Sequence, residues 1–292
     1  MGRREINAEI FQDTTEFLNE SENLLTATAE TRRKQKLILA DQDIPESNSS
    51  YDQDANIIVS GKRTLEAASA YKGKKVCILN FASATNPGGG VVHGSSAQEE
   101  SLCRCSTLYF CLDTPDLMRD FYLPHRKAGN PLYNDDIIYS PDVYVIKTDT
   151  SFPDRMKEND WYKVNVIPCA APNLREQPSN AMNPNAGNKA AKITNQELHV
   201  LLETRIRRIF KVAAAEGNEV LILGAFGCGA FRNPPEVAAD VFRQITAEYC
   251  KQEARGNSGA YNTGNVRAHS MHKKEVGRIS FLSDLLRNTD RK

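Results

Sequence analysis

Two apolar runs in this chain each end in a cluster of glycines, and each cluster is followed by a helix-like pattern. The first run, Val76-Cys77-Ile78-Leu79, leads through Asn80-Phe81-Ala82 into Asn86-Pro87-Gly88-Gly89-Gly90. The second, Glu219 to Phe226, leads directly into Gly227-Cys228-Gly229-Ala230-Phe231-Arg232-Asn233. Short apolar runs flanked by glycine suit buried strands. Glycine adopts backbone angles closed to other residues, and successive N–H groups with no side chains in the way can close on a phosphate. Strands alternating with helices indicate an α/β fold with a largely parallel or mixed central sheet. Ligands in such folds sit at the carboxyl ends of strands, so both loops are expected to face one cleft.

After the first loop a helix is expected from Ser95 or Ser96, with Gln98-Glu99-Glu100 in its first turn. Ser96-Ala97-Gln98-Glu99 also fits a capping box, in which Glu99 would only hold the N–H of Ser96. That explains one acid and not the other. Adjacent glutamates leave a helix in different directions, so they are not expected to straddle a glycosidic bond. One is expected to act as the acid and the other to position the substrate. After the second loop, Asn233-Pro234-Pro235-Glu236 reads as a helix start, with Asn as the cap and Pro at the first position. His93, alone between glycines and acids, reads as incidental, and Trp161 and Tyr162 as packing residues.

Elsewhere, Arg3 to Lys36 reads as helical, with Ile6, Ile10, Phe17, Leu24 and Leu25 as a broken apolar stripe. Asp41 to Asn56 is polar and reads as a linker, Ile57 to Val59 as a strand and Thr64 to Tyr71 as a helix. Leu102, Leu108, Tyr109 and Leu112 are expected on the buried face of the helix that the acids begin. Asp113 to Asp136, with three prolines, reads as a long loop. Ile137 to Tyr139 and Val143 to Lys147 read as two strands around Ser140-Pro141, and Val164 to Cys169 as another. Asn173 to Thr194 reads as a surface loop that covers the site. Glu197 to Ala215 reads as an amphipathic helix, and Val237, Val241, Ile245 and Tyr249 as the apolar face of the next. Lys251 to Lys274 reads as irregular, and Val276 to Leu282 as a last strand before a basic tail.

The chain has 292 residues, with 37 Lys and Arg against 37 Asp and Glu. A chain of zero formal charge has no basic field for a polyanion, so any such ligand is expected at a local site. No run approaches the roughly 20 apolar residues of a transmembrane helix. The first residues lack a signal-peptide apolar region. Gly2 follows Met1, but Ile6 stands where a myristoylation pattern has Ser or Thr. The seven cysteines are odd in number and scattered, which suggests reduced thiols in an intracellular protein, and their spacing gives no zinc site.

Gly88-Gly89-Gly90, seven residues, then Gln98-Glu99-Glu100 resembles the signature of poly(ADP-ribose) glycohydrolases. Asn80-Phe81-Ala82 before it and Ser101-Leu102-Cys103-Arg104 after it are similar to the microbial branch of that family. Val164 to Asn173 and Gly224 to Asn233 match as well, and the resemblance covers most of Ile57 to Tyr249. It implies an α/β macrodomain-like fold: a mixed central sheet flanked by helices, here with a helical N-terminal extension. The expected division is residues 1–56, extension and polar linker, and 57–292, the catalytic domain. The implied activity is hydrolysis of ribose–ribose O-glycosidic bonds in poly(ADP-ribose), releasing ADP-ribose from the chain end. The resemblance implies that Glu100 donates the proton and Glu99 binds ribose hydroxyls. It also implies substrate contacts at Asn80, Ser83, Gly88, Gly89, Gly90, Val91, Gln98, Gly227, Cys228, Gly229, Ala230 and Phe231, with Phe231 against the terminal ribose. Some relatives carry asparagine where Ser83 stands, and many carry glycine where Arg232 stands.

No cofactor and no metal are expected. Expected partners are poly(ADP-ribose) or ADP-ribosylated proteins, with no membrane and no sequence-specific nucleic acid. The chain is expected to be monomeric and cytoplasmic, or nuclear in a eukaryote. Two alternatives stand beside this reading: a macrodomain that binds ADP-ribose without cutting it, and a hydrolase of mono-ADP-ribose linkages.

Overall fold

The computed structural model describes residues 2–47, 55–180, 183–249 and 278–282. Two helices open the chain, α1 (Arg3–Asn19) and α2 (Glu22–Lys34), followed by strand β1 (Lys36–Ile38). Then come β2 (Asn56–Ser60), α3 (Thr64–Ser69) and β3 (Val76–Phe81). The first glycine loop leads to α4 (Gln98–Cys105) and α5 (Leu108–Leu112). After α6 (Pro115–Leu117), a π turn (Met118–Tyr122) runs into α7 (Leu123–Ala128). The rest is β4 (Ile137–Val145), β5 (Tyr162–Cys169), α8 (Asn195–Ala215), β6 (Val220–Leu223), α9 (Pro235–Tyr249) and β7 (Arg278–Leu282).

The strands form one mixed sheet in the order β1-β4-β5-β3-β6-β7-β2. Strands β5, β3, β6, β7 and β2 pair in parallel with one another, while β4 pairs antiparallel with both β5 and β1. Successive side chains on a strand point to opposite faces, and the sheet uses both. Cys77, Leu79, Ile167, Leu221 and Leu223 pack on one side with Leu202, Ile206 and Ile209 of α8 and Val241 and Ile245 of α9. Val76, Ile78, Val166, Val220 and Ile222 pack on the other with Leu65, Leu102, Leu108 and Phe11. A sheet buried on both faces explains the near-continuous apolar runs of β3 and β6.

Several expectations need correcting. Residues 3–34 are helical, but the helix breaks near Ser21, which caps α2 by accepting from the Leu24 N–H at 3.3 Å. Asn7, Phe11, Thr14 and Leu18 form the buried side of α1, and Leu25 is exposed. The expected stripe was out of phase because α1 turns two polar residues inward to meet backbone carbonyls. The segment before residue 57 also joins the main sheet, since β1 pairs with β4 at its edge. The helix that carries the acids stops at Cys105, so Leu108 and Leu112 are buried from a separate helix. Residues 113–136 are helical over much of their length, because proline is tolerated in the first turn of α6 and α7. Ile137 to Val145 is one strand with a register shift between Ser140 and Val143. Pro141 has no N–H to donate there, and Asp142 has a φ of 55°. The last strand lies where expected over Arg278–Leu282, while Lys251 to Lys274 and the basic tail lie outside the described residues.

Candidate active site

The three parallel strands β5, β3 and β6 are neighbours, so the segments that follow their carboxyl ends leave the same edge of the sheet. These segments are residues 82–97, 170–194 and 224–234, and both glycine loops are among them. Phe81 and Phe226, at the bases of the two loops, meet edge to face with centroids 5.9 Å apart. The junction between the second loop and the β5 segment is equally tight. Gly227 has a φ of 76°, and a side chain there would meet the Ala171 Cβ at 2.6 Å.

The first loop is built around the two acids. Glu99 and Glu100 are both buried, 3% and 7% exposed. Glu99 Oε2 accepts from the Ser83 N–H at 2.7 Å, and Oε1 from Asn80 Nδ2 at 3.3 Å. Glu100 Oε1 accepts from the Gly90 N–H at 2.9 Å, while its Oε2 has no hydrogen-bond partner among the described residues. The capping-box reading fails, because α4 starts at Gln98 without a side-chain cap. The carboxylates also converge more than helix geometry alone suggests. A Cβ placed on Gly89 would lie 2.5 Å from Glu100 Oε1 and 3.0 Å from Glu99 Oε2. Gly89, with a φ of 59°, therefore cannot carry a side chain without displacing both acids. Burial pushes the Glu99 carboxyl well above the usual carboxylate range, and the charge of Glu100 adds to this against the two donors.

Other candidate residues divide by role. Gln98 spends its amide on the scaffold: Oε1 accepts from the Phe81 N–H at 2.9 Å, and Nε2 donates to the Leu79 carbonyl at 2.8 Å. It pins α4 to the end of β3. The Ser83 hydroxyl accepts from the Asn86 N–H at 3.1 Å and so braces the loop, while the Val91 side chain is fully buried. In the second loop Gly229 and Ala230 are exposed, and nothing lies within 4 Å of a Cβ placed on Gly229. Cys228 and Phe231 are half-buried, and Phe231 faces Tyr133 with centroids 6.1 Å apart. Arg232 has a φ of 61°, the left-handed region that glycine takes freely. Asn233 does not cap α9; its Nδ2 donates to the carbonyls of Pro172 at 2.7 Å and Gly227 at 3.1 Å. It ties the second loop to the end of β5.

Sequence reasoning missed Arg126, Tyr133 and Arg205. Arg205, 1% exposed on α8, donates to Asp135 Oδ1 and to the Leu132 and Ala170 carbonyls, fixing two segments at this edge. The one available signal was an arginine on the otherwise apolar face of α8. His93 is exposed and Trp161 packs against Phe17, as expected. Among the described residues no group of three or more His, Cys, Asp or Glu could hold a metal ion. Surface hollows of about 520 Å³ beside His199 and Asp240, and about 640 Å³ beside Glu22 and Trp161, lie outside this cluster.

Residues 9–148 match the family model for the microbial-type PARG catalytic domain. The chain is similar to the microbial-type poly(ADP-ribose) glycohydrolases. The poly(ADP-ribose) glycohydrolase of Thermomonospora curvata is 26% identical, with 95% of this chain and 93% of that chain covered and a TM-score of 0.70. Its structure bound to the inhibitor ADP-HPD gives 27% identity over the same coverage and a TM-score of 0.68. The Deinococcus radiodurans glycohydrolase in complex with ADP-ribose is 28% identical, covering 87% and 89% of the two chains, with a TM-score of 0.66. No curated protein matches the chain. The glycohydrolase likeness thus extends past the residues of the family model, across the whole mixed sheet with its helices.

Proposed function

We infer that the chain is a glycosidase that hydrolyses the ribose–ribose O-glycosidic bond of poly(ADP-ribose) and releases ADP-ribose. The observation that carries the mechanism is the asymmetry of Glu100. One oxygen is fixed by the Gly90 N–H, and the other is buried and free of protein partners among the described residues. Such a carboxyl, when protonated, can give its proton to the leaving ribose oxygen as the glycosidic C–O bond breaks. Positive charge then develops at the anomeric carbon. Water adds there and returns a proton to the Glu100 carboxylate, so that one bond and one water are consumed per cut. Glu99, held by Asn80 and Ser83, is suited to receive ribose hydroxyls beside the scissile bond. In the first loop the Gly89, Gly90 and Val91 N–H groups are already bonded within the protein, so the second loop, with Gly229 and Ala230 exposed, is the one suited to offer N–H groups to the pyrophosphate.

Release from the chain end is part of the proposal, as the resemblance implies, and so is action as a monomer on polymer or ADP-ribosylated protein. The unpaired cysteines suit an intracellular setting, and no helix among the described residues is long and apolar enough to cross a membrane. A module that only bound ADP-ribose would need the loops but not two buried acids around Gly89. Labelled polymer and mono-ADP-ribosylated protein, incubated with the parent and with Glu100→Gln, test the assignment. The parent should release ADP-ribose from polymer, and the variant should lose at least about 10²-fold in rate while still binding ADP-ribose. Parent-like turnover by Glu100→Gln would remove Glu100 as the acid. Binding without cleavage by the parent would favour the non-catalytic reading.

A further inference from the structure

The N–H that holds Glu100 belongs to the peptide joining Gly89 to Gly90, and so does the Gly89 carbonyl. A peptide unit is planar and trans, so its carbonyl and N–H point in opposite directions and turn together. Neither flanking residue has a Cβ, so little steric resistance fixes the orientation of this unit. Its carbonyl end is held instead: Asn86 Nδ2 donates to the Gly89 carbonyl. Asn86 is held in turn by Arg126 of α7. Arg126 Nε donates to the Thr85 carbonyl at 2.5 Å, and its second guanidinium nitrogen donates to Asn86 Oδ1 at 3.2 Å. Arg126 is half-buried and forms no ion pair with Asp or Glu among the described residues. Its bonding is directed to the loop.

We propose that Arg126 is a positioning residue that acts through Asn86 to set the Gly89–Gly90 peptide, and thereby presents the Gly90 N–H to Glu100. The assignment rests on the hydrolase reading of Glu100, and it adds a residue some 26 positions away in sequence, on a helix that touches neither acid in the bonds described. Without the clamp the peptide is free to turn, and Glu100 loses the donor that fixes its direction.

The test compares the parent with Arg126→Ala, Arg126→Lys and Asn86→Asp. Aspartate keeps an oxygen for Arg126 but removes the donor to the Gly89 carbonyl. Turnover of polymer, affinity for ADP-ribose, melting temperature and exchange of the Gly90 amide in ¹⁵N-glycine-labelled protein are measured on each. Arg126→Ala and Asn86→Asp should lower kcat by about 10-fold to 100-fold, with KM and ADP-ribose affinity changed by no more than about threefold. Arg126→Lys, with one donor group in place of a fork, should fall between. The Gly90 amide should exchange faster in the two damaging variants. An unchanged kcat, an unchanged Gly90 amide, or parallel losses of kcat, affinity and melting temperature would overturn the proposal. If the parent cuts no polymer the hydrolase reading is lost, while the Gly90 amide still decides whether Arg126 holds the peptide.

Discussion

At the scale of single residues, the two glutamates differ more than their adjacency suggests. Glu99 is closed in by donors on both oxygens, yet burial keeps its carboxyl well above the ordinary 4.5. A carboxyl raised in this way holds its proton more tightly in the folded chain than in the unfolded one. Its contribution to stability is whole below the ordinary value and is lost as pH rises toward the folded value. Glu99→Gln removes that loss, and Asn80, whose Oδ1 has no described partner, can turn its amide to accept from the new side chain. The melting temperature of the variant relative to the parent should therefore climb as pH rises above the ordinary 4.5 of a glutamate. A constant difference would show that Glu99 ionises as easily as in the unfolded chain. Much of this cluster was readable in the sequence, because the glycines and acids are close neighbours in the chain. The duties of Gln98, Asn233 and Arg126 were not, because each bonds to backbone brought near by the sheet or by a helix in another segment.

At the scale of elements, α1 is a buttress for the glycine loop. Asn7 Nδ2 donates to the Gly94 carbonyl at 3.1 Å, and Thr14 donates to the Arg104 carbonyl at 2.6 Å. Arg104, itself buried, donates to the Ser95 carbonyl at 2.6 Å. On the far side Lys147, 1% exposed, holds Asp13 and the Ile10 carbonyl. Gly94 has a φ of 73° and lies flush against the Arg4 backbone, so any side chain there strikes the helix. Gly94→Ala should cost at least about 1–3 kcal/mol in urea unfolding, and it should lower turnover by shifting the loop. Asn7→Ala strands a buried carbonyl and should cost about 1–3 kcal/mol as well. Stability near the parent's in both variants would mean that α1 is a passive neighbour. Strands β3, β5 and β6 were legible because burial on both faces leaves unbroken apolar runs. The face of α1 was not, since its contact surface is polar and an apolar stripe is a poor guide to it. The helices between residues 115 and 128 were hidden by prolines in their first turns.

At the scale of the whole molecule, a sheet edge carrying both glycine loops should couple ligand to global stability. ADP-ribose at about 100 times its Kd adds about 2.7 kcal/mol and should raise the melting temperature by about 5 °C or more. Adenosine, without the pyrophosphate, should raise it far less. Equal shifts from the two compounds would count against a pyrophosphate cradle. The sequence pattern indicated a parallel or mixed sheet without its strand order, and β7, the last strand among the described residues, sits between β6 and β2. This insertion matters in time as well as in space. Strands β3, β5 and β6 can pair as soon as each leaves the ribosome, but among the described residues β2 touches the sheet only through β7. Its Ile57 and Val59, 42% and 46% exposed even in the finished fold, must wait until β7, which ends at Leu282, has been made. At about 5–20 residues per second the delay is on the order of 10 to 40 seconds. A chain stopped short of Arg278 could assemble the glycine loops and still carry an open strand edge, a ready template for aggregation. Strand β7 therefore separates a chain whose β2 edge is covered from one that has the same glutamates and glycine loops but leaves that edge open.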